Sequence, residues 1–255
     1  YSVADTTARQ SPLVQALEQL LKLPDARISL LDWLGLFEVS AVRARFGLSP
    51  ADISQLQGWL SNAGVRWGLD AEHRQRWGFA DRVPGRDQNT WAFGLRRLLL
   101  GYAVGAGNAW GGTLPQAAIK SRDASLVSHL LDWVDAVDQT LAALQGSKTP
   151  QQWCDVMGTL MERFFKASID AEERLLQRLQ EPLEVWQQAC ADAGLESALP
   201  LEVVREHWMG QISEGGLQQR FFGGGVQFGT LMPMRSIPFK AIFLLGMNDG
   251  DYPRQ

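Results

Sequence analysis

Through most of the chain, apolar residues recur at the three-to-four spacing of a helix face. Leu13, Leu17, Leu20 and Leu21 form one such face behind Ser11-Pro12, with Ser as N-cap and Pro at the first helical position. Ser29 caps a short second helix through Leu34 and Phe37. Ser49-Pro50-Ala51-Asp52 opens a third, which carries Ile53, Leu56, Trp59 and Leu60 and ends at Asn62-Ala63-Gly64, a left-handed cap signal. From Arg66 to about Asn89 the periodicity is lost among Gly, Pro, Trp and Arg. That stretch reads as a long ordered loop, which is uncommon without a role. A helix resumes at Thr90 and runs through Trp91, Leu95, Leu98 and Leu99 to Gly105, before a Gly-rich turn to Gly112. Leu126, Leu130, Val134, Val137, Leu141 and Leu144 mark the next helix. Thr149-Pro150-Gln151-Gln152 is a capping box that opens another. Leu175 to Ala193 is a helical stretch that Pro182 should kink or divide, and Pro200 to Met209 is a last short helix.

The pattern changes after Gly223-Gly224-Gly225. Val226 to Leu231 reads as a short strand, and Ala241 to Met247 is a continuous apolar run. Strands covered on both faces, as in parallel sheets packed between helices, read this way. The run ends in the polar turn Asn248-Asp249-Gly250-Asp251. Open parallel sheets bind ligands beyond the carboxyl ends of their strands. The expectation is therefore a mainly α chain with a small α/β part, a helical subdomain attached to a truncated parallel sheet.

Composition adds restraint. With 45% hydrophobic and 20% charged residues over 255, the balance is ordinary for a globular protein. No run of apolar residues is long enough to span a membrane. Tyr1-Ser2-Val3-Ala4-Asp5 has neither a starting Met nor a signal-peptide pattern, and Pro253-Arg254-Gln255 follows directly on the strand pattern. Both ends read as cut from a longer protein. A net charge of −4 argues against a freestanding, tight nucleic-acid binder but leaves room for a local basic surface. Cys154 and Cys190 fall in apolar helical patterns and fit buried thiols in a reducing cytoplasm better than a disulfide. His73, His129 and His207 are dispersed, so no zinc-ligand spacing exists.

The nucleic-acid candidates cluster in the loop: Arg66-Trp67, Arg74, Arg76-Trp77, Arg82, Arg86 and, at its end, Trp91. Arg contacts phosphate, and Trp offers a face to an unstacked base. The competing reading has Trp67, Trp77 and Trp91 anchoring the loop onto the helices, while the arginines pair with Asp70, Glu72, Asp81 and Asp87. Elsewhere, Gly107 to Thr113 imitates a phosphate loop but has no Lys before Thr113, so a plain turn is the better reading. None of the Lys residues follows an acidic residue at the spacing of a D/E-x-K nuclease centre. Glu172-Glu173 complements a helix dipole. Trp33, Trp59, Trp133, Trp153, Trp186 and Trp208 read as core or as interface anchors.

The segment Val226 to Phe239, continuing to Pro253, resembles motif V of superfamily 1 DNA helicases of the UvrD/Rep type. Val226, Thr230, Leu231, Phe239, Ile242 to Leu245, Gly246, Met247, Gly250 and Pro253 match in register. The departures are Met232 for the family's His, Arg235 for its Lys, Ser236 for its Gly and Pro238 for its Glu. Met232 lacks the hydrogen bonding of imidazole, and Pro238 removes a carboxylate and a backbone donor. Thr230 and Arg235 keep groups suited to a phosphate. This degenerate string, together with Thr90 to Ala103 and the opening Ser2-Val3-Ala4-Asp5, resembles the RecC family, the gamma subunits of exodeoxyribonuclease V (RecBCD).

The resemblance implies a RecA-like helicase domain 2 built from residues 1–9 and 217–255, with residues 10–216 as a helical insertion subdomain. It implies a cytoplasmic, non-catalytic subunit with RecB, RecD and double- and single-stranded DNA as partners. That subunit splits the duplex, channels the strands and responds to Chi, within a complex that is an ATP-dependent helicase and exonuclease. No cofactor is expected in this chain; ATP and Mg belong to partner subunits. The alternatives are a subunit-interaction scaffold without DNA contact, or part of an active superfamily 1 helicase.

Overall fold

The computed structural model describes residues 2–3, 11–78, 85, 87–214, 227–228 and 240–245. Within them the chain is mainly helical. The helices are α1 (Pro12–Leu21), α2 (Leu30–Leu36), α3 (Ser40–Phe46), α4 (Pro50–Ala63), α5 (Ala71–Gln75), α6 (Trp91–Val104), α7 (Ala124–Ala143), α8 (Pro150–Phe164), α9 (Asp170–Asp192) and α10 (Leu201–Glu214).

Their starts follow local chemistry. Capping boxes at Ser29/Asp32, Ser49/Asp52 and Thr149/Gln152 open α2, α4 and α8, and Thr90 caps α6 through the Phe93 N–H. Each satisfies backbone donors that the first helical turn leaves orphaned. Gly64 ends α4 in the left-handed conformation at φ 91°. Two helices depart from the sequence expectation. α3 begins at Val39 without a side-chain cap, and α5 is a short polar helix inside the expected long loop. α9 also runs unbroken through Pro182, where a division was expected. Its flanks are held from outside: the Leu179 carbonyl accepts from the Trp208 indole at 2.9 Å, and the Leu183 carbonyl accepts from Cys154 Sγ at 3.5 Å. Leu179 and Leu183 are both buried.

The centre of the core is aromatic. Trp33 of α2 stacks on Trp91 of α6 with centroids 4.2 Å apart, and meets Trp133 of α7 edge-on at 5.5 Å. Phe37, Phe46 and Phe164 close around Trp133 at 4.5, 4.9 and 5.4 Å. Each such pair adds about 0.5–1.5 kcal/mol beyond area burial. Against this, the indole N–H groups of Trp33, Trp91 and Trp133 are buried without a hydrogen-bond partner. Close approach of α4 and α6 depends on Gly94, where a Cβ would stand 2.2 Å from Val65 Cγ2. Ser40 of α3 donates to the Glu172 carboxylate of α9, which also accepts from the Ser168 N–H and hydroxyl at 2.8 and 2.7 Å. Burial pushes the Glu172 carboxyl up, but these hydrogen bonds outweigh it and leave it below the ordinary carboxylate range.

Among the described residues the sheet consists of β1 (Ser2–Val3) paired in parallel with β2 (Gln227–Phe228), in the register Ser2 to Gln227 and Val3 to Phe228. The expected buried strand over Ala241 to Met247 is corrected for its described part. Residues 241–245 form no strand, and Ile242, Phe243, Leu244 and Leu245 are exposed. An apolar strand is buried on both faces only between covering layers, and no such layer exists among the described residues. Met247 lies outside them. No described helix is long and apolar enough to cross a membrane.

Candidate nucleic-acid interface

The loop between α4 and α6 concentrates arginine beside tryptophan, and its backbone is pinned on two sides. On one side the Leu30 N–H donates to the Arg66 carbonyl at 2.9 Å, and the Gly68 N–H is shared by the carbonyls of Arg27 (3.0 Å) and Ile28 (3.1 Å). On the other, the N–H groups of Arg66 and Trp67 both reach the Asn89 carbonyl, at 2.9 and 3.3 Å. The N–H groups of Trp91 and Ala92 donate to the carbonyls of Gly68 and Leu69 at 3.0 and 2.8 Å. Asp70 caps α5 by accepting from the His73 N–H at 2.8 Å. Among the described residues of the loop, these bonds satisfy backbone groups that lie outside any sheet or long helix.

Arg74 is the latch of this loop. It is buried, with Nη1 donating to the Gln88 carbonyl at 2.6 Å and Nη2 to the Trp67 carbonyl at 2.9 Å. Its guanidinium carbon lies 4.4 Å from the Trp67 ring centre. Burial lowers its pKa from the ordinary arginine value, opposed by the carboxylate of Asp87. Gly68 is required beside it: φ is +76°, and a Cβ would stand 3.1 Å from Arg74 Cγ and Nε. Arg74 therefore serves the loop's own carbonyls rather than the exposed set expected from the sequence. Trp91 is likewise removed from that set, being fully buried in the aromatic core.

What stays at the surface is different. Arg66 is exposed, with Nη1 on the Val65 carbonyl at 2.8 Å. Arg76 is exposed, and its guanidinium has no hydrogen-bond or ion-pair partner among the described residues. Trp67 and Trp77 are half-buried. Of the described acids, Asp70 caps α5, and Asp87 pairs with Arg96 at 2.7 Å while its charge also acts on Arg74. Arg82, Arg86 and Asp81 lie outside the described residues, as do Thr230, Met232, Arg235, Ser236 and Pro238 of the motif V resemblance.

The structure adds a residue that the sequence reading missed. Arg27, exposed and remote in sequence, places its guanidinium carbon 5.1 Å from the Trp77 ring centre and 5.9 Å from that of Trp67. Among the described residues this guanidinium has no hydrogen-bond or ion-pair partner. The next residue, Ile28, is fully buried and holds φ 54°. A β-branched residue in that region stores strain of order 1–3 kcal/mol. The turn it makes sends Ile28 into the core and leaves Arg27 outside. The only sequence signal is a polar break, Pro24-Asp25-Ala26-Arg27, before the Ser29 cap.

Beneath this surface His73 is buried, with neither ring nitrogen hydrogen-bonded. Burial lowers its pKa first, the Arg76 and Arg74 charges lower it further, and Asp70 opposes them. Elsewhere, Trp110 and Thr113 exchange backbone hydrogen bonds at 2.9 Å around Gly111 and Gly112, so the segment that imitates a phosphate loop is a tight turn. Cys154 and Cys190 are free thiols. Burial, with Asp155 and Cys190 nearby, pushes Cys154 up to about 11. Among the described residues no group of three or more His, Cys, Asp or Glu is placed to hold a metal.

The family model for the fourth domain of the RecBCD enzyme subunit RecC matches residues 10–216, the whole helical body. The chain belongs to the RecC fourth-domain family. RecC of Escherichia coli (strain K12) is 36% identical over 260 residues, covering 100% of this chain and 22% of that protein. RecC of Haemophilus influenzae is 30% identical over 259 residues, again covering 100% and 22%. RecC of Mycolicibacterium smegmatis is 31% identical over 246 residues, covering 96% and 22%. The chain thus spans about a fifth of the length of these RecC relatives.

Proposed function

We propose that this RecC-family chain is a non-catalytic, DNA-handling part of a RecBCD-type helicase and exonuclease in double-strand-break repair and homologous recombination. In that role it helps split the duplex, channel the strands and respond to Chi. RecB- and RecD-type subunits and double- and single-stranded DNA are its partners, and those subunits supply the ATP and Mg chemistry. Family membership supports the assembly. The parallel pairing of Ser2–Val3 with Gln227–Phe228 supports a reading in which residues 1–9 and 217–255 share one RecA-like domain and the helical body is inserted into it. The altered motif V, with Met232 and Pro238 in place of His and Glu, supports a domain that no longer couples nucleotide to strand.

The observation that carries the DNA contact is the exposure of Arg66 and Arg76 beside half-buried Trp67 and Trp77, on a loop whose described part is latched by Arg74. Guanidinium groups on a fixed loop meet phosphates without first ordering the chain. The test is an Arg66→Ala/Arg76→Ala variant of the full-length protein assembled with its partner subunits. Its affinity for tailed DNA is expected to fall, with the dependence on salt becoming shallower by about 0.7–0.9 per lost phosphate contact. Unchanged affinity and slope would favour the second reading, a subunit-interaction scaffold. That reading draws on exposed Leu99, Tyr102 and Val104 of α6 with Trp110 and Leu114 beyond it, a surface suited to another subunit.

A further inference from the structure

We infer that Arg27 contacts one phosphate of a single-stranded nucleic acid, while the indole of Trp77 stacks on the adjoining base. The inference rests on the DNA-handling reading and names the strand form and the residues within it. Arg27 and Arg74 both lie against Trp67, yet their hydrogen bonding differs. Arg74 spends donors on the carbonyls of Trp67 and Gln88, whereas the Arg27 guanidinium makes no hydrogen bond or ion pair among the described residues. A guanidinium has a fork of donors matched to phosphate oxygens. In Arg27 that fork is exposed and, among the described residues, is oriented by two indole faces, at 5.1 and 5.9 Å.

Two further observations make the arrangement a built one. The backbone at Ile28 holds a left-handed conformation that a β-branched residue disfavours, and the shared hydrogen bonds from the Gly68 N–H fix it there. The chain thus sustains strain at the residue that turns Arg27 outward. Second, Arg76 directly precedes Trp77 in the chain, and its guanidinium too is exposed and has no hydrogen-bond or ion-pair partner among the described residues. Phosphate-binding cations interleaved with aromatic faces are the arrangement by which proteins hold unpaired strands, because a base presents its flat face only when it is out of the duplex stack. A duplex offers phosphates to Arg27 and Arg76 but nothing to Trp77, and this selects the single strand.

The experiment compares Arg27→Ala, Arg27→Lys, Trp77→Phe and Trp77→Ala in the full-length protein assembled with its partner subunits. Binding of an unpaired oligonucleotide and of a blunt duplex is measured across a salt series. Arg27→Ala is expected to reduce the single-strand salt slope by about 0.7. Arg27→Lys should restore the slope without restoring the affinity, since it returns the charge and not the planar fork. Trp77→Ala should weaken single-strand binding roughly 5- to 100-fold and spare the duplex, and Trp77→Phe should lose less. Arg27 is exposed, so its variants decide the matter even where Trp77→Ala disturbs the loop. Unchanged slope and affinity in Arg27→Ala overturn the inference. If the Arg66→Ala/Arg76→Ala variant still loses affinity in that case, the DNA-handling reading stands without it. If that variant too is unchanged, both fall.

Discussion

The tryptophans of the central core and those of the α4–α6 loop are the same residue in opposite settings. Trp33, Trp91 and Trp133 meet one another and phenylalanines, and their indole N–H groups go unsatisfied. Trp67 and Trp77 meet guanidinium groups and keep part of their surface in water. The first group stabilises the fold through area and ring packing, at the cost of stranded donors. The second contributes less burial and retains polar company at the surface. The difference shows that tryptophan content alone says little about binding; the partner of the ring face says more.

The largest effect is expected where the contrast is sharpest. Trp133→Ala empties the centre of the aromatic cluster and should cost about 3–5 kcal/mol, read as a lower denaturant midpoint. A loss below about 1 kcal/mol would mean that the cluster is not the centre of stability and would erase the distinction between the two regions. Arg74→Ala comes next. It strips donors from the Trp67 and Gln88 carbonyls and should cost about 2–3 kcal/mol, with faster amide exchange confined to the loop between α4 and α6. Uniform exchange across the molecule would show that the latch is not local.

The smallest effect is a pH dependence. His73 has a folded pKa below its ordinary value of 6.5, mainly through burial. Its neutral form therefore stabilises the fold fully above the unfolded pKa. As pH falls below about 6.5, the unfolded chain takes up a proton that the folded chain resists, and stability declines toward the folded pKa. Urea midpoints at pH about 7.5 and about 5.5 should differ in that direction, and His73→Phe should reduce the difference. Equal pH sensitivity in the variant would assign the acid response elsewhere.

Much of the helical frame was legible because it is written in local chemistry. Ser29, Ser49, Thr90 and Thr149 announce helix starts wherever they fall, and Gly64 announces an end. α3 escaped notice because its N-cap is Val39, which makes no cap hydrogen bond. α5 escaped because Ala71-Glu72-His73-Arg74-Gln75 carries no apolar repeat. Pro182 misled because α9 is held on either side of it by contacts from α8 and α10 that the sequence of α9 does not contain. For the site, the loop was located, but the division of labour within it was not. Arg74 and Arg76 are near neighbours on one polar stretch, and only tertiary contacts bury the first and leave the second in water. Arg27 joins them through the backbone pairing of residues 27–30 with 66–68, a long-range contact with no sequence signature.

The adjoining positions of Ser2–Val3 and Gln227–Phe228 carry an evolutionary consequence. Paired strands lie about 4.7–4.9 Å apart, so everything between them departs from and returns to nearly one point. Under the proposed reading of the helical body as an insertion, that body behaves as a cassette. It can gain a turn, lose a loop or acquire a new surface while the strand register that anchors it stays unchanged.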